Sequence, residues 1–172
     1  MVIFWKSFLF LIVLAISPVA HAKDTTLIKA PDAAVLLTID MQEKDCSISE
    51  QIRLTLEDLK ELPVDEINTT TIWTEGTQTF RGVRLSTLLT MLDREAVDLE
   101  LIAINGYRVT IPAADITPEG PLLAYQRNGK AMSARQNGPL WMVYDYDSNP
   151  AFRTETIYSR SIWQLDRITI SR

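Results

Sequence analysis

The 172-residue sequence is short of the residues that carry most metal and nucleophilic chemistry, with one histidine, His21, and one cysteine, Cys46. A single cysteine excludes an internal disulfide framework and a cysteine-rich metal site. A basic excess is missing as well. Lys and Arg number 17 against 22 Asp and Glu, a net charge of −5, which excludes the cationic footprint that nucleic-acid phosphates require. There is no Ser/Gly tract, repeat or low-complexity run, so no internal boundary divides the chain. What is present is 47% hydrophobic and 23% charged, the balance of a folded globular domain.

The start of the chain has a different character. One charge, Lys6, precedes an apolar run through Phe8–Leu14, and the run ends in Ala20-His21-Ala22. That is the three-part layout of a cleavable signal peptide, residues 1–22, and the apolar run is short for a bilayer span. Cleavage leaves residues 23–172 in the periplasm, one unit more negative and without histidine. A Ser-His-Asp site and His-ligated zinc, haem or iron are then excluded. Cys46, between Asp45 and Ser47, has no cation beside it to lower its pKa and reads as an incidental thiol.

The spacing predicts an α+β, strand-dominated single domain. Leu56, Leu59 and Leu62 share one face of a short helix stopped by Pro63, with Thr55 as N-cap and Asp58 at capping-box distance. Leu85, Leu88, Leu89 and Leu92 form the stripe of a second helix. Ala34–Ile39 and the β-branched run from Glu66 to Trp73 read as strands. Asn105-Gly106 and Asn128-Gly129 sit between apolar runs (Leu99–Ile104 and Tyr107–Ile111; Leu122–Gln126 and Lys130–Met132) and predict two-residue hairpin turns with positive φ. Pro139–Tyr146 and Ser161–Ile170 read as two further strands.

Six segments now stand in order: Leu56-x-x-Leu59-x-x-Leu62-Pro63, Thr71-x-Trp73-Thr74-x-Gly76, Phe80-x-Gly82-Val83-x-Leu85, Asn105-Gly106-Tyr107, Gly138-Pro139-Leu140-Trp141, and Tyr158-x-Arg160-Ser161-Ile162-Trp163-Gln164-Leu165. The ordered set resembles the sulfite-oxidase-like oxidoreductase molybdopterin-binding domain over about Ala34–Ser171. In the molybdenum enzymes of that family a cysteine on the loop after the central strand ligates the metal. Here that loop reads Thr71-Ile72-Trp73-Thr74-Glu75-Gly76-Thr77, without a thiol. The pattern is similar to a metal-free branch of the fold, exported pterin-binding regulators. The resemblance implies a tetrahydropterin-type ligand, no molybdenum, no intrinsic redox turnover, and a partner: the periplasmic sensory domain of an inner-membrane cyclic-di-GMP synthase or phosphodiesterase.

A pterin asks for a carboxylate facing its amino-pyrimidine edge and for aromatic faces. The expected ligand-binding residues are Trp73, Thr74, Glu75, Tyr107, Arg160 and Trp163. Each has a plain alternative. Trp73, Trp141 and Trp163 suit a core, Glu75 a solvated turn, and the Tyr107 hydroxyl a hairpin cap. On a strand Arg160 and Ile162 would face one way, Ser161 and Trp163 the other. Asp145, Asp147 and Glu155 hint at calcium but lack loop spacing. Two other functions stay open: a molybdenum oxidoreductase with an oxygen ligand from Thr74 or Glu75, and a ligand-free adaptor whose aromatics fill the core.

Overall fold

A computed structural model describes residues 34–171, which fall within one compact unit, Asp32–Arg172. The expected signal peptide and the new terminus at Lys23 lie outside the described residues. Ten strands and three α-helices occur among the described residues, so the architecture is mixed and strand-dominated, as the spacing predicts.

The first sheet runs β2 (Ile48–Thr55), β1 (Val35–Gln42), β10 (Leu165–Ser171), β5 (Leu99–Ala103), β6 (Arg108–Ile111). β1 and β10 are parallel and the other pairs antiparallel. The second sheet runs β3 (Asp65–Thr71), β4 (Thr74–Arg84), β7 (Leu122–Arg127), β8 (Lys130–Ala131), with β9 (Trp141–Val143) beside the start of β7.

The second sheet is covered on both faces, and alternation along its strands sorts side chains between them. Leu123 and Tyr125 of β7, Val83 of β4 and Met142 of β9 join the first sheet in an aliphatic core with Leu37, Ile39, Leu101 and Ile168. Their neighbours Leu122, Ala124, Phe80, Trp141 and Val143 face the other way, into an aromatic cluster with Tyr144 and Tyr146. This is why Leu122–Tyr125 reads as an unbroken apolar run rather than an alternating one. Gly82 lies where β4 and β7 touch: a methyl there would overlap the Leu123 carbonyl and come within 2.7 Å of the Ala124 Cα.

The predicted helices form as α1 (Leu56–Glu61) and α2 (Leu85–Met91). Thr55 caps α1 in a full capping box with Asp58. The Asn128-Gly129 turn has both φ angles positive (51° and 73°), whereas at Asn105-Gly106 only Gly106 does (82°). There the connection spans Ile104–Tyr107, and the Asn105 side chain accepts the Tyr107 N–H at 3.0 Å instead.

Two expected strands need correction, and two observed strands were not expected. The strand Pro139–Tyr146 contracts to β9, because Tyr144 and Tyr146 turn into the aromatic cluster. The strand Ser161–Ile170 starts only at Leu165, and the residues before it form α3 (Glu155–Arg160), capped by Thr154, whose hydroxyl accepts the Ile157 N–H at 3.3 Å. Arg160 therefore ends a helix, and the face alternation expected from a strand does not apply to it. Finally, β2 is mostly exposed and polar, and β4 is polar from Thr74 to Thr79, so neither stands out as an apolar run.

Candidate functional site

The segment Ser161–Leu165 joins the two sheets. Trp163 bridges to Trp141, Met142 donates its N–H to the Ile162 carbonyl and Leu165 its own to the Leu140 carbonyl, and the chain then enters β10 of the other sheet. Gln164, at φ +53°, makes the turn between them. Left-handed backbone is uncommon for a residue with a side chain and needs support from its surroundings. That support is present: the Gln164 carbonyl accepts from Ile104 at 3.0 Å, and its side-chain amide donates to the Ala134 carbonyl at 2.8 Å.

A cleft of about 280 Å³ opens at this junction. One wall carries Trp73 from the β3–β4 turn and Tyr158 from α3. Ala103 at the end of β5, Asn105 and Tyr107 of the β5–β6 connection, and Ser161, Ile162 and Trp163 of the joining segment complete the lining. The Tyr107 hydroxyl donates to the Ser159 carbonyl at 3.1 Å, tying the hairpin to α3 across the rim.

Trp73 is half-buried, and four aromatic rings meet it edge to face. The centroids of Trp141, Tyr158 and Trp163 all lie 5.7 Å away and that of Tyr146 lies 6.3 Å away. Such edge contacts suit the quadrupoles of the rings. Behind Trp73 the cluster closes: Trp141 is fully buried and donates its indole N–H to the Ser161 carbonyl at 3.1 Å. The Tyr146 hydroxyl donates to Ser161 Oγ at 2.6 Å, and Ser161 Oγ donates to the Ile157 carbonyl at 2.8 Å. Burial pushes the Tyr146 phenol up to about 12. The Tyr144 hydroxyl is buried without a hydrogen-bond partner among the described residues, and burial, then the nearby Asp115 charge, raise it further. Both phenols stay neutral across the physiological range.

Of the six expected site residues, Trp73, Tyr107 and Trp163 come together on this cleft. Thr74 and Glu75 follow Trp73 but lie off its lining. The pairing jumps from Thr71↔Thr74 to Thr69↔Gln78, so Glu75, Gly76 and Thr77 form a bulge, with Gly76 at φ +66°. Glu75 is exposed on that bulge. Arg160 is off the cleft lining and is engaged in an ion pair. Its guanidinium donates at 2.6 Å to Asp115, in the 3-10 turn after β6, with both side chains about one-fifth exposed. Asn105, Tyr158, Ser161 and Ile162 join the site without having been expected there. The signal for the last three is the cap: Thr154 followed by Glu155, with Ile157 and Ser161 four apart, marks a helix that delivers Tyr158 to the cleft.

The cleft brings no thiol to a molybdenum centre. Cys46 is exposed at the tip of the β1–β2 hairpin. Gln42, at the base of that hairpin, pairs with Ser171 at one end of β10, while Leu165 at the other end pairs with Ala103 on the cleft. The six intervening steps of strand separate thiol and cleft by roughly 20 Å. Calcium fits no better. Both Asp147 oxygens are taken, by the Thr70 N–H (2.6 Å), the Thr70 hydroxyl (2.8 Å) and Arg153 (3.1 Å).

What remains is a small, aromatic-walled cleft with no ionised side chain on its lining among the described residues. It can hold a flat, uncharged ring against its aromatic side chains and by a few hydrogen bonds. No protein-family model matches this chain, and no curated protein matches it either.

Proposed function

We propose that this chain is an exported pterin-binding regulatory protein, a metal-free relative of the sulfite-oxidase-like molybdopterin-binding domain, secreted to the periplasm by cleavage of residues 1–22. Its ligand is a tetrahydropterin-type ring. The observation that carries the reading is the convergence of Trp73, Tyr158, Trp163 and Tyr107 on one cleft of about 280 Å³, the small end of the ligand-pocket range of roughly 300–1,000 Å³. That is room for one bicyclic ring rather than a cofactor with a phosphorylated tail. The ring lies against the aromatic wall, and Tyr107 and Asn105 face its edge.

The chain acts as a signal carrier and not as a redox enzyme. Occupancy biases docking on the periplasmic sensory domain of a membrane-bound cyclic-di-GMP synthase or phosphodiesterase, through a difference in partner affinity between bound and empty forms. The partner is drawn from the resemblance. Extraction of the purified protein followed by mild oxidation tests the reading: a fluorescent pterin released in near-stoichiometric amount is the expected result. An empty extract, together with no heat on titration with tetrahydropterin, overturns it in favour of a ligand-free adaptor. Turnover with an artificial electron acceptor overturns the non-catalytic part.

A further inference from the structure

On the aliphatic side of the second sheet, away from the aromatic cluster, β4 and β7 fall out of step. Arg81 pairs with Gln126 and Gly82 with Ala124, so Tyr125 is the extra residue of a bulge. A bulge sets two consecutive residues against one and can re-aim their side chains. Here Tyr125 and Gln126 come beside Arg81 in one depression of about 270 Å³, which Lys60 of α1 and Val64 complete. Tyr125 is only 3% exposed and belongs to the aliphatic core. Its hydroxyl has no hydrogen-bond partner among the described residues, yet it is not sealed: the sealed, unpartnered side-chain atoms there are Arg94 Nε and the Tyr144 hydroxyl. The Tyr125 hydroxyl therefore opens on the depression. Neither Lys60 nor Arg81 joins an ion pair among the described residues. The nearby acids, Glu66 opposite Arg81 and Glu57 and Glu61 on α1, lie off the lining.

We propose that this depression is a second binding site, one that takes a phosphate group, free or carried on a lipid headgroup. Ammonium, guanidinium, phenol and carboxamide can all donate, and they reach it from three elements, α1, β4 and β7. The guanidinium offers paired N–H groups that match two phosphate oxygens, and the ammonium adds a second charge. A tetrahedral anion has oxygens enough for all four donors, whereas a carboxylate has two. The chain is acidic overall, with a net charge of −5, so the attraction comes from this local pair of cations and not from a basic surface. The site lies apart from the cleft and does not rest on the pteridine reading.

The test titrates the full mature chain with inorganic phosphate at neutral pH and constant ionic strength, followed by calorimetry. Saturable binding to one site is expected, with none for chloride at the same ionic strength. Arg81→Gln, at an exposed position, should weaken binding about tenfold. Tyr125→Phe keeps the ring in the core, removes only the hydroxyl, and should weaken it about threefold. Lys130→Gln removes an exposed cation of β8 that is off the lining and should leave binding unchanged. A titration that does not saturate overturns the proposal. So does an equal loss in Lys130→Gln and Arg81→Gln, which would make the attraction a diffuse surface effect, or full affinity in Arg81→Gln. Sedimentation with phosphatidylcholine vesicles, with and without phosphatidic acid, separates the sources. Co-sedimentation that needs phosphatidic acid and weakens in Arg81→Gln assigns the headgroup, and phosphate binding without it assigns the free ion.

Discussion

The two faces of the second sheet are filled with different chemistry. On one side the cluster is mostly leucine, isoleucine, valine and methionine, with Tyr125 as its one aromatic ring, packed against the first sheet. On the other, Trp141, Tyr144, Tyr146 and Phe80 pack among aliphatic residues such as Leu122 and Val143, and the burial of the aromatic rings is graded: Trp141 and Tyr146 are enclosed, while Trp73, Tyr158 and Trp163 are half-exposed at the cleft. The aliphatic cluster reaches the cleft through Ala103 and Ile162, and its enclosed members, such as Leu101, serve stability. Aromatic rings can pack edge to face at the back of a cluster and still offer a free face at the front. The same substitution therefore means different things on the two sides, and that contrast can be tested.

The largest effect belongs to Trp141→Ala. The indole is fully buried, meets Phe80 at 5.3 Å and Trp73 at 5.7 Å, and satisfies the Ser161 carbonyl. Its loss should cost about 3–5 kcal/mol, read as a fall in the urea midpoint, and should weaken pteridine binding because it backs Trp73. Leu101→Ala, in the aliphatic core, should cost about 2–5 kcal/mol and leave the affinity of the folded fraction unchanged. Equal loss of affinity in both variants would mean that the two faces are not functionally distinct.

Trp73→Ala sharpens the contrast. Removing a stacking face should cost about 1–3 kcal/mol of binding, roughly ten- to a hundredfold in affinity, with less loss of stability than Trp141→Ala because the ring is only half-buried. Calorimetry beside urea unfolding separates the two. Unchanged affinity with a large stability loss would make Trp73 a core residue and empty the cleft of meaning.

How far these regions are legible in the sequence also differs. The aliphatic side announces itself: Leu56, Leu59 and the stripe from Leu85 to Leu89 carry helical spacing with a capping box, and the structure has both helices. Trp73, Tyr107 and Trp163 can be named because they are large aromatics beside turns. Asn105 is legible as a turn residue but not as a site residue, since its free amide depends on the Asx bond to Tyr107. Arg160 is misplaced by sequence reasoning because Ser161–Ile170 looks apolar enough for one long strand, while the helix before it is mostly polar. Its partner Asp115 is 45 residues earlier, and pairing across that distance leaves no local signal. Glu75 is two residues from Trp73, and only the bulge, a product of strand register, carries it off the lining.

The Arg160 pairing gives a smaller prediction. Arg160→Met removes an ion pair that is mostly shielded from solvent, at an expected cost of about 1 kcal/mol. Pteridine affinity should change by less than about twofold, well under 1.4 kcal/mol, since the guanidinium faces Asp115. A tenfold loss of affinity without a matching loss of stability would return Arg160 to the ligand.

The smallest effect is a matter of pH, and it is read at a loop on the aromatic side. Asp147 fastens the loop after Tyr146 to β3: its carboxylate accepts from the Thr70 N–H and hydroxyl and from Arg153, and its own N–H donates to Thr69 Oγ1 at 3.1 Å. The Thr70 N–H is the main cause that holds this carboxyl below its ordinary value of 3.8, and the Thr70 hydroxyl adds to it. A carboxylate whose pKa is lowered on folding stabilises fully above the unfolded value and loses that contribution as pH falls through the folded one. The Asp147 contribution is thus complete at neutral pH and fades below about pH 3.8. Because the side chain is about 35% exposed, solvent screens it, and Asp147→Asn should lower the thermal midpoint at pH 7 by only about 2 °C. The parent and variant curves should converge as the medium becomes acid. Pteridine affinity should decline over the same interval in the parent chain while unfolding of the aliphatic core, followed by far-ultraviolet circular dichroism, lags behind it. A constant gap between the two midpoints from about pH 7 down to about pH 2.5 would show that the Asp147 carboxylate does not fasten this loop, and that the acid response arises elsewhere.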